Sequence, residues 1–248
     1  MTVKDVFDFL NSRFPTESAC DFDNVGLLIG NPGQTVNKAI VSLDCTIHTI
    51  TEAAKNNCEL IITHHPVIFD PLKNIISGTV PYEAIKNNVS VISMHTNLDI
   101  GTGGVNDSLC DVVFDSKPET VTALDGYKLK KCRIFPVLPK DFAKHLKAKL
   151  NGRVKFNNTN KPITNVLVCS GSGGGYIAEA ESLGCDAFLT ADVKHNQFLE
   201  AEHLGIALFD AGHFNTEDVV VEPLKELLQT EFPKIGFLST HHSTIEYL

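Results

Sequence analysis

The sequence predicts an α/β protein of two similar lobes, and three observations carry that prediction. Apolar runs that read as buried strands alternate with helical segments. The second half repeats the spacing of the first, and histidines and carboxylates gather where the strands end.

An N-terminal helix is expected from Val3 to about Arg13, with Val6, Phe7 and Leu10 on one face and Pro15 closing it. A turn-rich stretch, Cys20 to Gly30, follows. The chain then reads as a strand at Lys38 to Leu43, a helix at Thr46 to Asn56, and a strand at Glu59 to Thr63. A helix near Pro81 to Asn87 and a strand at Val89 to Met94 complete β-α-β-α-β, the order of a parallel, right-handed unit.

Shifting the sequence by 127 positions aligns Val41 with Val168, Ile50 with Ile177, Glu52-Ala53 with Glu179-Ala180, Cys58 with Cys185 and Thr63 with Thr190. After a loop ten residues shorter the shift becomes 117, and Val89 to Met94 falls on Ile206 to Ala211. Repetition over such a span is the mark of a duplicated unit. With 248 residues the lobes divide as 1–124 and 125–248.

Composition narrows the functional classes. An apolar fraction of 43% with 21% charged residues is that of a globular chain and excludes disorder, coiled coil and fibre. A formal charge of -9 argues against a broad nucleic-acid surface, which needs Lys and Arg against phosphate. The basic stretch Lys128, Lys130, Lys131 and Arg133, continued by Lys140, Lys144, Lys147, Lys149, Arg153 and Lys155, reads as a solvated strand and helix face. Seven scattered cysteines without a C-x-x-C pair are no disulfide framework and suit a reducing compartment. No signal-peptide core or membrane-length apolar run occurs, so a cytoplasmic protein without a membrane partner is expected.

The chemistry concentrates at strand ends, where open α/β sheets bind their ligands. His64-His65 closes the apolar run from Leu60 and precedes Pro66. Neighbouring strand residues point to opposite faces, so two imidazoles in sequence suggest one ion each unless the chain turns there. The next strand ends at Met94-His95-Thr96-Asn97-Leu98-Asp99; in the second lobe the corresponding ends are Ala191-Asp192 and Gly212-His213-Phe214-Asn215-Thr216-Glu217. If the lobes face one another, these four ends line one cleft. Histidine with carboxylate is a mixed N/O set suited to two divalent ions, Zn, Fe, Ni or Mn, with positions open for water or substrate.

His213 and Glu217 would share a face on a helix, but Pro223 downstream places His213 just before the helix, with Asn215 as its N-cap. Asp192 and His195 are candidates for substrate contact or ligand support. His241-His242 read as exposed polar residues. The run Gly171 to Gly175 is either an anion-binding loop or a tight βα turn; it matches neither a Walker A nor a complete dinucleotide fingerprint. No G-x-S-x-G nucleophile motif is present.

Five segments in order, Asp23-Asn24-x-Gly26-Leu27, Thr63-His64-His65-Pro66, His95-Thr96-Asn97-Leu98-Asp99, Leu189-Thr190-x-Asp192 and Gly212-His213-x-x-x-Glu217, resemble the GTP cyclohydrolase I type 2 family, the NGG-interacting-factor-three-like proteins. The resemblance spans nearly the whole chain. It implies two α/β lobes, a dinuclear metal centre and a homohexameric toroid. By position it makes His64, His65, Asp99, His213 and Glu217 the metal ligands, Glu217 touching both ions, and gives His95 a supporting or substrate-contacting role. Phe22 stands where many members carry Trp. The connection from Ser116 to Lys161 is too short for the domain that larger members insert, which marks the compact form. The activity implied is hydrolytic opening of the guanine imidazole ring of GTP, with release of formate on the way to dihydroneopterin triphosphate. The alternative class is a non-catalytic metal carrier, or a ring acting through protein or DNA partners.

Overall fold

The computed structural model describes residues 1–246. In chain order the elements are α1 (Val3–Arg13), β1 (Gly26–Ile29), β2 (Lys38–Ser42), α2 (Ile47–Asn56), β3 (Leu60–Thr63), α3 (Val80–Lys86), β4 (Ser90–Ser93) and α4 (Thr96–Ile100). There follow α5 (Val105–Val113), β5 (Glu119–Thr122), β6 (Lys128–Val137), α6 (Pro139–Leu150), β7 (Lys155–Phe156), β8 (Ile163–Val168), α7 (Ile177–Ser182), β9 (Ala187–Thr190), α8 (His195–Leu204), β10 (Ala207–Asp210) and α9 (His213–Glu217). The chain closes with α10 (Val221–Glu231) and β11 (Gly236–Thr240).

Two compact units result. The first holds residues 1–102 and the C-terminal segment from Val221; the second holds Gly103–Val220. The expected division at 124/125 therefore falls inside the second unit. The second helix after the last parallel strand of each repeat, α5 in one and α10 in the other, belongs to the opposite unit. A boundary drawn by repeat length cannot show that exchange, because an amphipathic helix carries the same pattern whichever sheet it covers.

In the first unit α1 starts where Thr2 and Asp5 cap one another, the Asp5 carboxylate accepting the Thr2 N–H at 2.7 Å. Val3, Val6 and Leu10 form its buried stripe, while Phe7 is only half-buried. Strands β4, β3, β2 and β11 run parallel, and β1 adds an antiparallel edge inside the stretch read as turns. Every residue of β3 is buried, as expected of a strand covered on both faces.

The second sheet has the order β5-β6-β8-β9-β10-β7, parallel only through β8, β9 and β10. Alternate residues feed two cores. Val166, Val168, Leu189 and Phe209 pack with α5 and α6 residues, whereas Leu167, Phe188 and Leu208 pack with Ile177, Ala180 and Ala201. The basic stretch is not uniformly solvated: Lys130 is buried, with Nζ 2.6 Å from Asp107 on α5 and 3.0 Å from the Thr120 hydroxyl. A carboxylate and a hydroxyl at that point make burial of the ammonium tolerable.

The duplication is visible in the register. Val41 pairs with Ile62 as Val168 pairs with Leu189, and Ile62 with Ile92 as Leu189 with Phe209. Helices α4 and α9 also correspond residue for residue at the 117 shift. Even the fastening of the strand starts repeats. Glu59 accepts the N–H groups of Asn37 (2.9 Å) and Lys38 (3.0 Å), and Asp186 those of Thr164 (2.7 Å) and Asn165 (2.8 Å). Burial works against charge on both acids, but these backbone and side-chain hydrogen bonds outweigh it and hold both carboxyls below their ordinary range.

The end of the repeat differs from expectation at His213. It is the first residue of α9, with Gly212 as the cap residue, and the Asn215 side chain donates instead to the Leu150 carbonyl at 3.0 Å. Pro223 does no damage to α9, because a 3-10 turn at Asp218–Val220 separates it from α10, where Pro223 sits in the first turn and needs no N–H partner. His241 and His242 are exposed as expected. No helix among the described residues is long and apolar enough to cross a membrane.

Candidate metal-binding residues

Strand β3 stops at Thr63, so the pleat that would send His64 and His65 to opposite faces ends just before them. Their backbone N–H groups continue onto Ser42 and Leu43 carbonyls at 3.3 and 3.0 Å, and their ring centroids lie 4.9 Å apart. His95, one residue beyond Met94 at the end of β4, completes a cluster; its ring centroid is 5.1 Å from that of His64 and 5.6 Å from that of His65. A potential ligand atom from each of the three imidazoles lies within 4.8 Å of the others.

What orients the rings is informative. His64 Nδ1 lies 3.0 Å from the Met94 carbonyl oxygen, which can only accept, so Nδ1 carries the proton. His65 Nδ1 lies 2.7 Å from Asp44 Oδ1, and His95 Nδ1 lies 2.8 Å from Asp23 Oδ1. In all three rings the δ nitrogen is engaged by a carbonyl or carboxylate, which in the neutral imidazole puts the lone pair on Nε2. Metal-ligating histidines are oriented this way.

Asp23 is held in turn. Burial opposes its charge, but hydrogen bonds from His95 and from the Thr96 hydroxyl (2.5 Å) and N–H (3.0 Å) bring its carboxyl down to about 2. Asp99, buried on α4, has Oδ1 3.5 Å from His64 Nε2. Two ligand atoms at ordinary bond lengths on a tetrahedral ion stand about 3.4 Å apart, so this spacing fits shared coordination.

In the second unit, α9 puts His213 and Glu217 on one face, one turn apart. His213 Nδ1 lies 2.7 Å from Asp192 Oδ2, and Nε2 lies 2.8 Å from Glu217 Oε2. Asp192 holds φ at 52°, a left-handed conformation that turns the chain at the end of β9. Glu217 is buried, and the space for its carboxylate is made by Gly171: a Cβ built there would stand 1.9 Å from Glu217 Oε1. Gly171 also takes φ +57°, and its N–H donates to the Thr216 hydroxyl at 3.1 Å.

The glycine run is thus explained largely by close approach. A Cβ at Gly173 would meet the Thr190 hydroxyl at 2.6 Å, and one at Gly174 the Gln197 amide at 2.6 Å. The Gly173 N–H is engaged by Thr190 at 2.9 Å, and Gly174–Tyr176 forms a 3-10 turn. These are features of a tight βα turn.

The first unit therefore brings His64, His65, His95 and Asp99 together, and the second brings together Asp192, His213 and Glu217. His195 opens α8, exposed, and takes part in neither set. Neither Asp44, which orients His65, nor Asp23, which orients His95, has a role that the sequence alone assigns. Asp44, a carboxylate two residues past β2, was the available signal, since strand ends are where supporting acids also lie.

Residues 1–246 match the family described as Duf34/NIF3 (NGG1p interacting factor 3). The chain belongs to this family. A Clostridium acetobutylicum protein named GTP cyclohydrolase 1 type 2 homolog is 32% identical over 251 residues, taking in 95% of this chain and 92% of its own. A Staphylococcus aureus relative of the same name aligns over 345 residues, more than the 248 present here, in keeping with the compact form. Among solved structures, a Staphylococcus aureus hypothetical protein superposes with a TM-score of 0.90 at 27% identity, covering 100% of this chain and 99% of its own. Reduced HcgD from Methanocaldococcus jannaschii superposes with a TM-score of 0.83 at 25% identity, over 96% and 97% of the two chains.

Proposed function

We propose that this Duf34/NIF3 protein binds two divalent ions through His64, His65 and Asp99 of the first unit and His213 and Glu217 of the second, and that it hydrolyses a purine nucleotide as a GTP cyclohydrolase I type 2-like enzyme. One observation supports the metal reading most: His64 and His65, clustered with His95, are each held at Nδ1 by an acceptor, which puts the lone pair that would coordinate an ion on Nε2. Zn, Fe, Ni or Mn suits this donor set. Such ions supply Lewis acidity and a water nucleophile at neutral pH, the chemistry that ring-opening hydrolysis requires.

The chain's own contribution is orientation. Asp44, Asp23 and Asp192 fix three imidazoles, and Gly171 leaves room for the Glu217 carboxylate. The names of the relatives support a GTP-directed reaction, and assembly as a homohexameric toroid is proposed with it, as the family resemblance implies. Seven scattered cysteines without a C-x-x-C pair suit the reducing conditions of a cytoplasmic protein.

Metal content and GTP turnover measured on one preparation test this reading, with wild type beside His65→Ala and Glu217→Ala. Turnover that disappears together with metal supports the hydrolase. Two bound ions without turnover of any nucleotide contradict catalysis and favour a metal-handling or partner-binding ring. A protein without metal contradicts both.

A further inference from the structure

Two large aromatic side chains of the first unit stand in water beside the imidazole cluster. Phe22 is 67% exposed and Phe69 47%, and their ring centroids lie 6.4 Å apart with planes inclined at 43°. Phe69 in turn meets His95 edge-on, centroids 6.4 Å apart at 82°. Exposed apolar residues scattered singly are ordinary, but a fixed aromatic pair leaning on a cluster of chemically competent side chains invites a ligand.

The backbone that carries the pair is tied down. Phe22 lies in a turn closed by the Asp23 N–H donating to the Cys20 carbonyl at 2.9 Å. That turn is anchored at both ends to the residues after β4: the Cys20 N–H donates to the Thr96 hydroxyl at 2.9 Å, and the Asp23 carboxylate engages His95 and Thr96. The Asn24 amide donates to the Ile68 carbonyl at 2.6 Å, tying the chain one residue before Phe69 to the same turn. Both rings therefore ride on segments referred to His95, and little ordering remains to be done when a flat ligand arrives.

We infer that Phe22 and Phe69 form a stacking platform for the planar heteroaromatic ring of a free nucleotide or nucleoside, holding that ring beside His95. The inference rests on the proposed nucleotide chemistry for its setting and adds how the base is recognised. An aromatic face accepts any flat π-system at modest cost, whereas a phosphate gains nothing from it. The platform thus acts on the base and leaves phosphate recognition to other groups.

Binding to the metal-loaded, full-length protein tests this by calorimetry with guanosine, GTP, inorganic tripolyphosphate and a short oligothymidylate, for wild type, Phe22→Ala, Phe22→Trp and Phe69→Leu. The inference predicts that Phe22→Ala and Phe69→Leu weaken guanosine and GTP about ten-fold, that Phe22→Trp binds them at least as well as wild type, and that tripolyphosphate is unaffected. Metal content should not change, which separates loss of the platform from loss of the centre. Guanosine affinity unaltered in Phe22→Ala, or a wild type that binds the oligonucleotide but not guanosine or GTP, overturns it. GTP that binds through the platform without being turned over leaves this inference standing and defeats the hydrolase reading alone.

Discussion

The two units share a frame and differ at its ends. Three repeated parallel strands of each pair in one register, their strand starts are fastened by Glu59 and Asp186, and α4 and α9 have equal length. Yet His64-His65 corresponds to Ala191-Asp192, Asp44 to Gly171, and the helix that offers Asp99 in one unit offers His213 and Glu217 in the other. Residues that build the sheets have stayed interchangeable while residues that follow them have not. Burial on both faces constrains a strand to apolar side chains of fitting size, whereas a strand end is free to change its chemistry.

The contrast between Asp44 and Gly171 offers the largest effect. In the first unit this position supplies a carboxylate to His65; in the second it supplies empty space to Glu217. Gly171→Ala combines a left-handed φ with a Cβ 1.9 Å from the carboxylate oxygen. It should displace Glu217, lower metal affinity by about 100-fold and cost about 1–3 kcal/mol of stability. Metal titration and thermal unfolding check this, and an alanine that leaves affinity intact would break the comparison.

A smaller effect is expected from the acids that orient the rings. Asp44→Asn and Asp192→Asn keep shape but replace the acceptor of His65 Nδ1 and His213 Nδ1. Each should weaken metal binding about ten-fold without altering the unfolding midpoint of the metal-free protein by more than about 2 °C. If Asp192→Asn had no effect while Asp44→Asn did, the second unit's support would differ in kind from the first's.

The smallest effects lie in the shared frame. Glu59→Gln and Asp186→Asn should each cost about 1 kcal/mol in urea unfolding, and by similar amounts. Because folding lowers both carboxyls, their stabilisation is present in full above the ordinary values of 4.5 and 3.8 and is lost as pH falls below them. The wild type should therefore lose this increment between about pH 4.5 and the lower folded-state values, and the double variant should lose less over that window.

Much of this was legible in the sequence because strands covered on both faces leave long apolar runs, and a duplicated register repeats them at a fixed shift. The histidine pair was legible because it ends such a run. Other features escaped because their partners are distant in the chain. Asp44 meets His65 21 residues on, and Asp23 meets His95 72 residues on. Lys130 looked like one member of a solvated basic stretch until α5 brought Asp107 to it. The start of α9 was misplaced because Pro223 reads as a breaker, and only the intervening 3-10 turn shows that it belongs to the next helix.

The proposed function requires that both units contribute metal ligands, His64, His65 and Asp99 from the first and His213 and Glu217 from the second. Metal stoichiometry of the purified full-length chain, wild type beside His65→Ala and His213→Ala, tests it most directly. Two divalent ions per chain in the wild type, with each substitution lowering the content, is the result predicted. Content that stays at two in His213→Ala, or a wild type that binds none, would contradict it.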